Sequence, residues 1–126
     1  MWSENDKAIE LAVQLITLTN DKKITWKRVF RETRTPSDRH YLDFAYVAEV
    51  SKDVFRLSEY RHREFYDEDR FHWASGIELE IIDGEGRSLW TCPPNPAVRD
   101  LFEIVVEATT DIDGVMARLD SFAKAS

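Results

Sequence analysis

Within EYRHREFYDEDRFHW, residues 59–73, His62 and His72 flank an acidic turn sequence, and Glu64 stands two residues beyond the first of them. Imidazole nitrogens and carboxylate oxygens are ligands for zinc and other divalent cations. If the two strands of a hairpin bring these three groups together, they form the rudiment of a metal or small-ligand sensor. The set supplies three donors where a structural zinc site takes four. The competing reading is a pair of solvated hairpin histidines. The same stretch carries Tyr60, Phe65, Tyr66, Phe71 and Trp73 together with Arg61 and Arg63. Aromatic rings and arginines are the residue types enriched at the energetic centres of protein interfaces. Those seven residues are the candidate surface for a protein partner or for a second copy of the chain.

Other chemistry finds less support. General acid–base catalysis requires a carboxylate or histidine in an environment that shifts its pKa. The carboxylates here fall in turns and on helix faces, where solvent is expected to leave them near their ordinary values. No Ser-His-Asp arrangement has supporting local context, and no Cys-x-x-Cys or phosphate-binding glycine loop occurs. Two of the four glycines, Gly84 and Gly86, belong to one turn. Cys92 is the single cysteine and has no base beside it in the sequence, which makes it a structural thiol. No catalytic residue and no cofactor is assigned, and a non-enzymatic chain is expected.

Composition narrows the partners. The 126 residues carry a net charge of −7, against the phosphate neutralisation on which nucleic-acid binding rests. The charge is uneven. Residues 22–39 hold seven lysines and arginines against Glu32 and Asp38, and residues 64–85 hold eight acids against Arg70. Such polarity steers partners or simply solvates the surface. A lone cysteine permits no internal disulfide. The acidic start MWSENDKAIE does not read as a secretion signal, and no apolar run approaches the roughly 20 residues that cross a bilayer. A cytoplasmic protein without a membrane anchor is expected.

Candidate sites need elements to position them. Residues 4–19 read as an amphipathic helix with Ser3 as N-cap, with Ile9, Ala12, Val13 and Ile16 on the apolar stripe and Leu11, Leu15 and Leu18 widening it. Five strands follow, at about residues 24–31, 41–50, 54–65, 71–83 and 88–91, with a polar loop around Pro36 after the first. In the second, Leu42, Phe44, Tyr46, Ala48 and Val50 alternate onto one face. Pro93, Pro94 and Pro96 stop the sheet. Asn95 and Pro96 then open a helix as N-cap and first helical residue. Thr110 and Asp113 have the spacing of a capping box for a last helix. Its stripe is Ile112, Val115, Met116, Leu119 and Phe122. One α+β domain over residues 1–126 results: an N-terminal helix, a five-stranded antiparallel meander, and two C-terminal helices packed on one face.

Hairpin register decides which candidates meet. With Asp67 at the tip, Arg61 faces Trp73, Arg63 faces Phe71, and His62 faces His72 with Glu64 adjacent. One face then carries Phe55, Leu57, Phe65, Phe71, Trp73, Ile77, Leu79 and Ile81. The other carries Arg56, Ser58, Tyr60, His62, Glu64, His72, Glu78 and Glu80. A one-residue slip in either strand would mix the sets. The second strand is expected to set Val50 against Phe55 and Ala48 against Leu57.

The run LAVQLITLTNDKKITW, the alternating strand YLDFAYVAEV and the acidic Asp-Gly-x-Gly turn at residues 83–86 together resemble a pattern in small uncharacterised bacterial α+β proteins. The resemblance extends over residues 9–91. It implies a bacterial accessory or interaction protein and carries over no catalytic residue. The expected function is therefore a protein-interaction module acting through the aromatic and arginine-bearing hairpin arm. The alternative is a sensor on the face around His62, Glu64 and His72.

Overall fold

A computed structural model describes residues 3–31 and 39–125. The chain runs α1 (Glu4–Asn20), β1 (Lys27–Phe30), β2 (Arg39–Val50), β3 (Asp53–Phe65), β4 (Phe71–Ile82), β5 (Ser88–Thr91), α2 (Pro96–Thr109) and α3 (Ile112–Ala125). The five strands form one antiparallel sheet in sequential order. This is the α+β meander that the short connections predict. The loop expected around Pro36 lies outside the described residues. Among the described residues, no helix is long and apolar enough to cross a membrane.

Ser3 caps α1 in a reciprocal box: its hydroxyl accepts from the Asp6 amide at 3.1 Å, and the Asp6 carboxylate accepts from the Ser3 amide at 3.2 Å. The buried side of α1 is Ala8, Ala12, Leu15 and Thr19. Ala12 and Leu15 belong to the expected stripe, whereas Ile9 and Val13 at its other edge are exposed. The two alanines let α2 lie close alongside, and Val98, Leu101 and Val105 of α2 join them in one core. Trp26 closes the end of α1. Its indole N–H donates to Thr19 Oγ1 at 3.0 Å, and that hydroxyl donates to the Leu15 carbonyl at 2.7 Å.

Both α1 and α2 cover the base of one sheet face, over Ala48, Phe55, Leu57 and Leu79. Full burial of Leu57, Leu79 and Leu101 contributes roughly 1.5–3 kcal/mol each before entropy. Asn95 Oδ1 accepts from the Val98 amide at 3.3 Å and Pro96 is the first residue of α2, as the Asn-Pro pair predicts. Of the two C-terminal helices, α2 packs on the sheet, whereas no residue of α3 described here is buried. The α3 cap also differs from the Thr110–Asp113 box. Asp111 Oδ1 accepts from the Gly114 amide at 3.1 Å, while the Thr110 hydroxyl turns back to the Val106 carbonyl at 2.7 Å.

Registers differ from expectation in a way that preserves the faces. A loop over residues 66–70, closed by Tyr66 N–H to Arg70 O at 3.2 Å, puts the hairpin centre at Glu68 rather than Asp67. Phe65 therefore pairs with Phe71, Arg63 with Trp73, and Arg61 with Ser75. The β2–β3 turn has two central residues, Ser51 and Lys52, so Val50 pairs with Asp53 and Ala48 with Phe55. Ser51 holds φ at 60°, the positive value that a two-residue hairpin turn demands. Between Tyr41↔Tyr60 and Ala45↔Ser58, β2 contains two residues more than β3. Such a bulge adds twist and bends the strand.

Candidate functional site

The hairpin arm separates into a bare apolar side and a buried polar one. On the side that carries the helices farther down, Trp73, Phe71 and Phe65 are 52%, 39% and 57% exposed. Nothing described here covers them. They contact one another in sequence: His40 edge-on to Trp73 at 5.3 Å between centroids, Phe71 edge-on to Trp73 at 5.8 Å, and Phe65 against Phe71 at 5.4 Å. The Arg63 guanidinium lies 5.5 Å from the Phe71 centroid. By alternation Arg61 projects to the same side and is exposed. Nearer the base, Phe30 and Phe44 pair across β1 and β2, both exposed, with Arg28 4.0 Å over Phe44. The result is an aromatic ribbon edged with arginine and ending at the acidic tip Asp67, Glu68 and Asp69.

The opposite side is not the solvated polar face that alternation suggests. Ser58, Tyr60, Glu78 and Glu80 are buried there. Glu80 is gripped by two arginines: Arg56 donates from Nε and Nη2 to its two oxygens, each at 3.0 Å, and Arg31 Nη1 donates to Oε1 at 2.9 Å. The same Arg31 nitrogen donates to Ser58 Oγ, and its guanidinium stacks 3.7 Å over Tyr41. Glu78 accepts from Arg39 and, at 2.8 Å, from the Tyr41 hydroxyl. Arg39 in turn lies 4.4 Å over the Tyr60 ring. Arg31, next after β1, and Arg39 and Tyr41 of β2 thus reach across β3 to acids on β4.

Titration follows from these contacts. Burial pushes the Glu80 carboxyl upward, but hydrogen bonds and charge from Arg56 and Arg31 outweigh it, so its pKa is lowered. Glu80 therefore departs from the expectation that the carboxylates stay near normal. Burial and the bond to Glu78 raise the Tyr41 hydroxyl. Burial pushes the Cys92 thiol up to about 11. That is the environment of a structural sulfur rather than a nucleophile.

The candidate residues separate accordingly. Arg61, Arg63, Phe65, Phe71 and Trp73 line the ribbon. Tyr60 does not: it is buried on the opposite side with its ring over Gly76, where an added Cβ would meet Tyr60 Cζ and Oη at 2.4 Å. Tyr66 sits in the tip loop and stacks on His72 at 6.0 Å. The expected pairing of His62 with His72 is corrected by the register, since His62 faces Ala74 and Glu64 faces His72. Glu64 Oε2 and His72 Nε2 are 3.7 Å apart and well exposed. Among the described residues, no three His, Cys, Asp or Glu side chains converge to hold a metal ion. His62 lines a cleft of about 420 Å³ with Arg39, Tyr60, Arg63 and Phe65, and its Nδ1 is buried without a hydrogen-bond partner among the described residues. A wider cleft of about 660 Å³ beside the ends of α1 and α2 holds no histidine or cysteine and one carboxylate, Glu107.

Sequence reasoning missed the ion network. Its signal was present as glutamates at positions 78 and 80, framed by Ile77, Leu79 and Ile81 in a central strand, where charge requires a partner. Compared with known proteins, this chain matches no family model, no curated protein and no solved structure.

Proposed function

We propose that this protein is an interaction module whose aromatic ribbon docks an acidic, amphipathic segment of a partner. The observation that supports the reading is the uncovered run Trp73, Phe71 and Phe65, bordered by Arg61 and Arg63. Large contiguous apolar patches on a folded surface mark binding sites. Here the rings supply desolvation area with few rotatable bonds, and the arginines supply charge-assisted hydrogen bonds and stacking. The basic border selects against basic partners and for acidic ones.

Photo-crosslinking in the living cell tests this. A benzoyl-phenylalanine at Phe71 is compared with the same group at Leu89, an exposed residue of β5. The reading requires discrete protein adducts from the ribbon position alone. Arg61→Ala with Trp73→Ala should reduce them about tenfold or more without lowering the melting temperature. Identical adducts from both positions, or none from the ribbon, would sink the proposal.

A further inference from the structure

The outer edge of the hairpin arm is an open strand. Strand β5 pairs with β4 only at Glu80, Ile81 and Ile82, and just beyond it Cys92 N–H donates to Leu79 O at 2.8 Å. That bond fixes which residues of β4 face outward. Backbone groups alternate sides along an antiparallel strand, so Phe71, Trp73, Ser75 and Ile77 turn their N–H and C=O groups away from β3, as Leu79 does. The bond from Tyr66 N–H to Arg70 O gives the same parity from the β3 side. Among the described residues, no hydrogen bond reaches these outward groups. The run exceeds the roughly five to six residues of an ordinary strand. It also lacks the devices that blunt an edge. Its residues, FHWASGI, include no lysine or proline, and its register with β3 is unbroken.

We infer that this edge pairs with the same edge of a second copy, antiparallel about a twofold axis at Trp73. A strand that runs antiparallel to its own copy makes a closed, self-complementary contact. The axis is bounded on both sides. Leu79 is already taken by Cys92, so an axis nearer the base would drive the other copy's tip into residues 92–94. An axis nearer the tip would leave the groups of Ile77 without an opposing strand. At Trp73 the axis sets Trp73 against Trp73, Phe71 against Ser75, and Asp69 beside Ile77 of the other copy. The two exposed indoles then lie on one face and shield each other. Beside Ile77 lies a cleft of about 330 Å³ lined by Pro94, Asn95, Val98 and Arg99. Arg99 and Asp69 are both exposed and without an ion-pair partner among the described residues. The first turn of α2 carries no acid, and Asp100 projects about 100° further round the helix. The acidic tip of each copy thus meets the basic entrance of α2 in the other. The pairing uses the edge of β4 and leaves Arg61, Arg63 and Phe65 open, so two ribbons join into one surface. It does not depend on what docks there.

Sedimentation equilibrium from micromolar to millimolar concentration tests the inference. Wild type should pass from monomer to dimer. Ser75→Pro removes an outward N–H, a change that an edge strand tolerates, and should leave a monomer with a cooperative melting curve. Trp73→Lys opposes like charges across the axis and should do the same without altering the backbone. His72→Cys, Trp73→Cys and Ala74→Cys, each in a Cys92→Ala chain, locate the axis. Hydrogen-bonded antiparallel partners have Cα atoms about 5.5 Å apart, the spacing of a disulfide. Mild oxidation should therefore give a covalent dimer of Trp73→Cys about tenfold faster than of the other two. A wild type that stays monomeric at every concentration overturns the inference, as does a dimer that survives either Ser75→Pro or Trp73→Lys, or fastest oxidation at position 72 or 74. Photo-adducts at Phe71 of twice the chain's mass belong to this pairing and adducts of other masses to a docked partner, so the two readings fail separately.

Discussion

Replacing Glu80 with glutamine tests the ion network at its centre. The substitution keeps the shape of the side chain and removes its charge. In the native protein, three hydrogen bonds of 2.9–3.0 Å join this carboxylate to Arg31 and Arg56. The Glu80 side chain is 4% exposed, with Arg31 at 12% and Arg56 at 14%. Glutamine would leave two guanidinium groups without a counter-charge and turn an amide N–H₂ toward one of them. Breaking a buried ion pair by removing one partner costs about 3–5 kcal/mol. The partial exposure of both arginines places this case at the low end, about 3 kcal/mol. At an unfolding entropy of roughly 2 cal/mol/K per residue, that lowers the melting temperature by about 12 °C.

Its pH dependence makes the test sharper. The Glu80 pKa is lowered from an ordinary value of 4.5, so the fold favours the ionised form. The stability it contributes is fully present above that ordinary value and is lost as pH falls through the lower folded value. Urea denaturation of both proteins should therefore show the full gap at neutral pH, a gap that narrows as the pH drops below about 4.5. Other acids titrate alike in the two chains and cancel. Stabilities equal at neutral pH, or a gap unchanged into acid, would refute the claim that Glu80 is held as a buried carboxylate.

Two further substitutions probe the backbone that supports the arm. Gly76→Ala places a methyl group 2.4 Å from the Tyr60 ring and should cost about 1–3 kcal/mol; chemical denaturation should find most of that cost gone in a Tyr60→Ala background. Ser51→Gly removes a side chain from a residue at φ 60° and should raise stability by about 1 kcal/mol, whereas a lower urea midpoint would show that the serine is not strained there.

What the sequence disclosed follows from the range of each interaction. Alternation in YLDFAYVAEV and across residues 54–81 assigns the faces, because a side chain's face depends only on its parity along the strand. Exact pairing is harder to read. Moving the hairpin centre from Asp67 to Glu68 shifts every pair yet keeps every face, so the apolar pattern cannot choose between them. The length of the tip loop chooses, and His62 loses His72 as a result. Helix caps were legible where side-chain chemistry was unique, as at Ser3 and Asn95, and ambiguous at Thr110 and Asp111, neighbours that both bear oxygens. On α1 the expected stripe holds Ala12 and Leu15, which are buried, but also Ile9 and Val13, which are not: these outweigh Ala8 in hydrophobicity, whereas close packing against α2 selects the alanine. The ion network joins residues 24 and 49 positions apart, so the buried glutamates are legible at positions 78 and 80 whereas their arginine partners are not.

Both halves of the arm bear on one another. A two-stranded hairpin in water is marginal on its own, and a ribbon of exposed rings on a floppy hairpin would bind poorly, since ordering it would consume affinity. Here β3 and β4 extend roughly 40 Å at about 3.3 Å per residue, beyond the base that α1 and α2 cover, and the overhang is braced from behind. Arg39, His40 and Tyr41 of β2 pair with Tyr60, Arg61 and His62, so the arm's root is three strands wide. On the reverse side Tyr60 seats over Gly76, and Arg39 and Tyr41 bind Glu78. Charge holds one face shut while the other stays open. If the ribbon docks a partner as proposed, Glu78→Gln or Glu80→Gln should lower the yield of cross-links from Phe71 as well as the melting temperature, although neither residue lies on the ribbon.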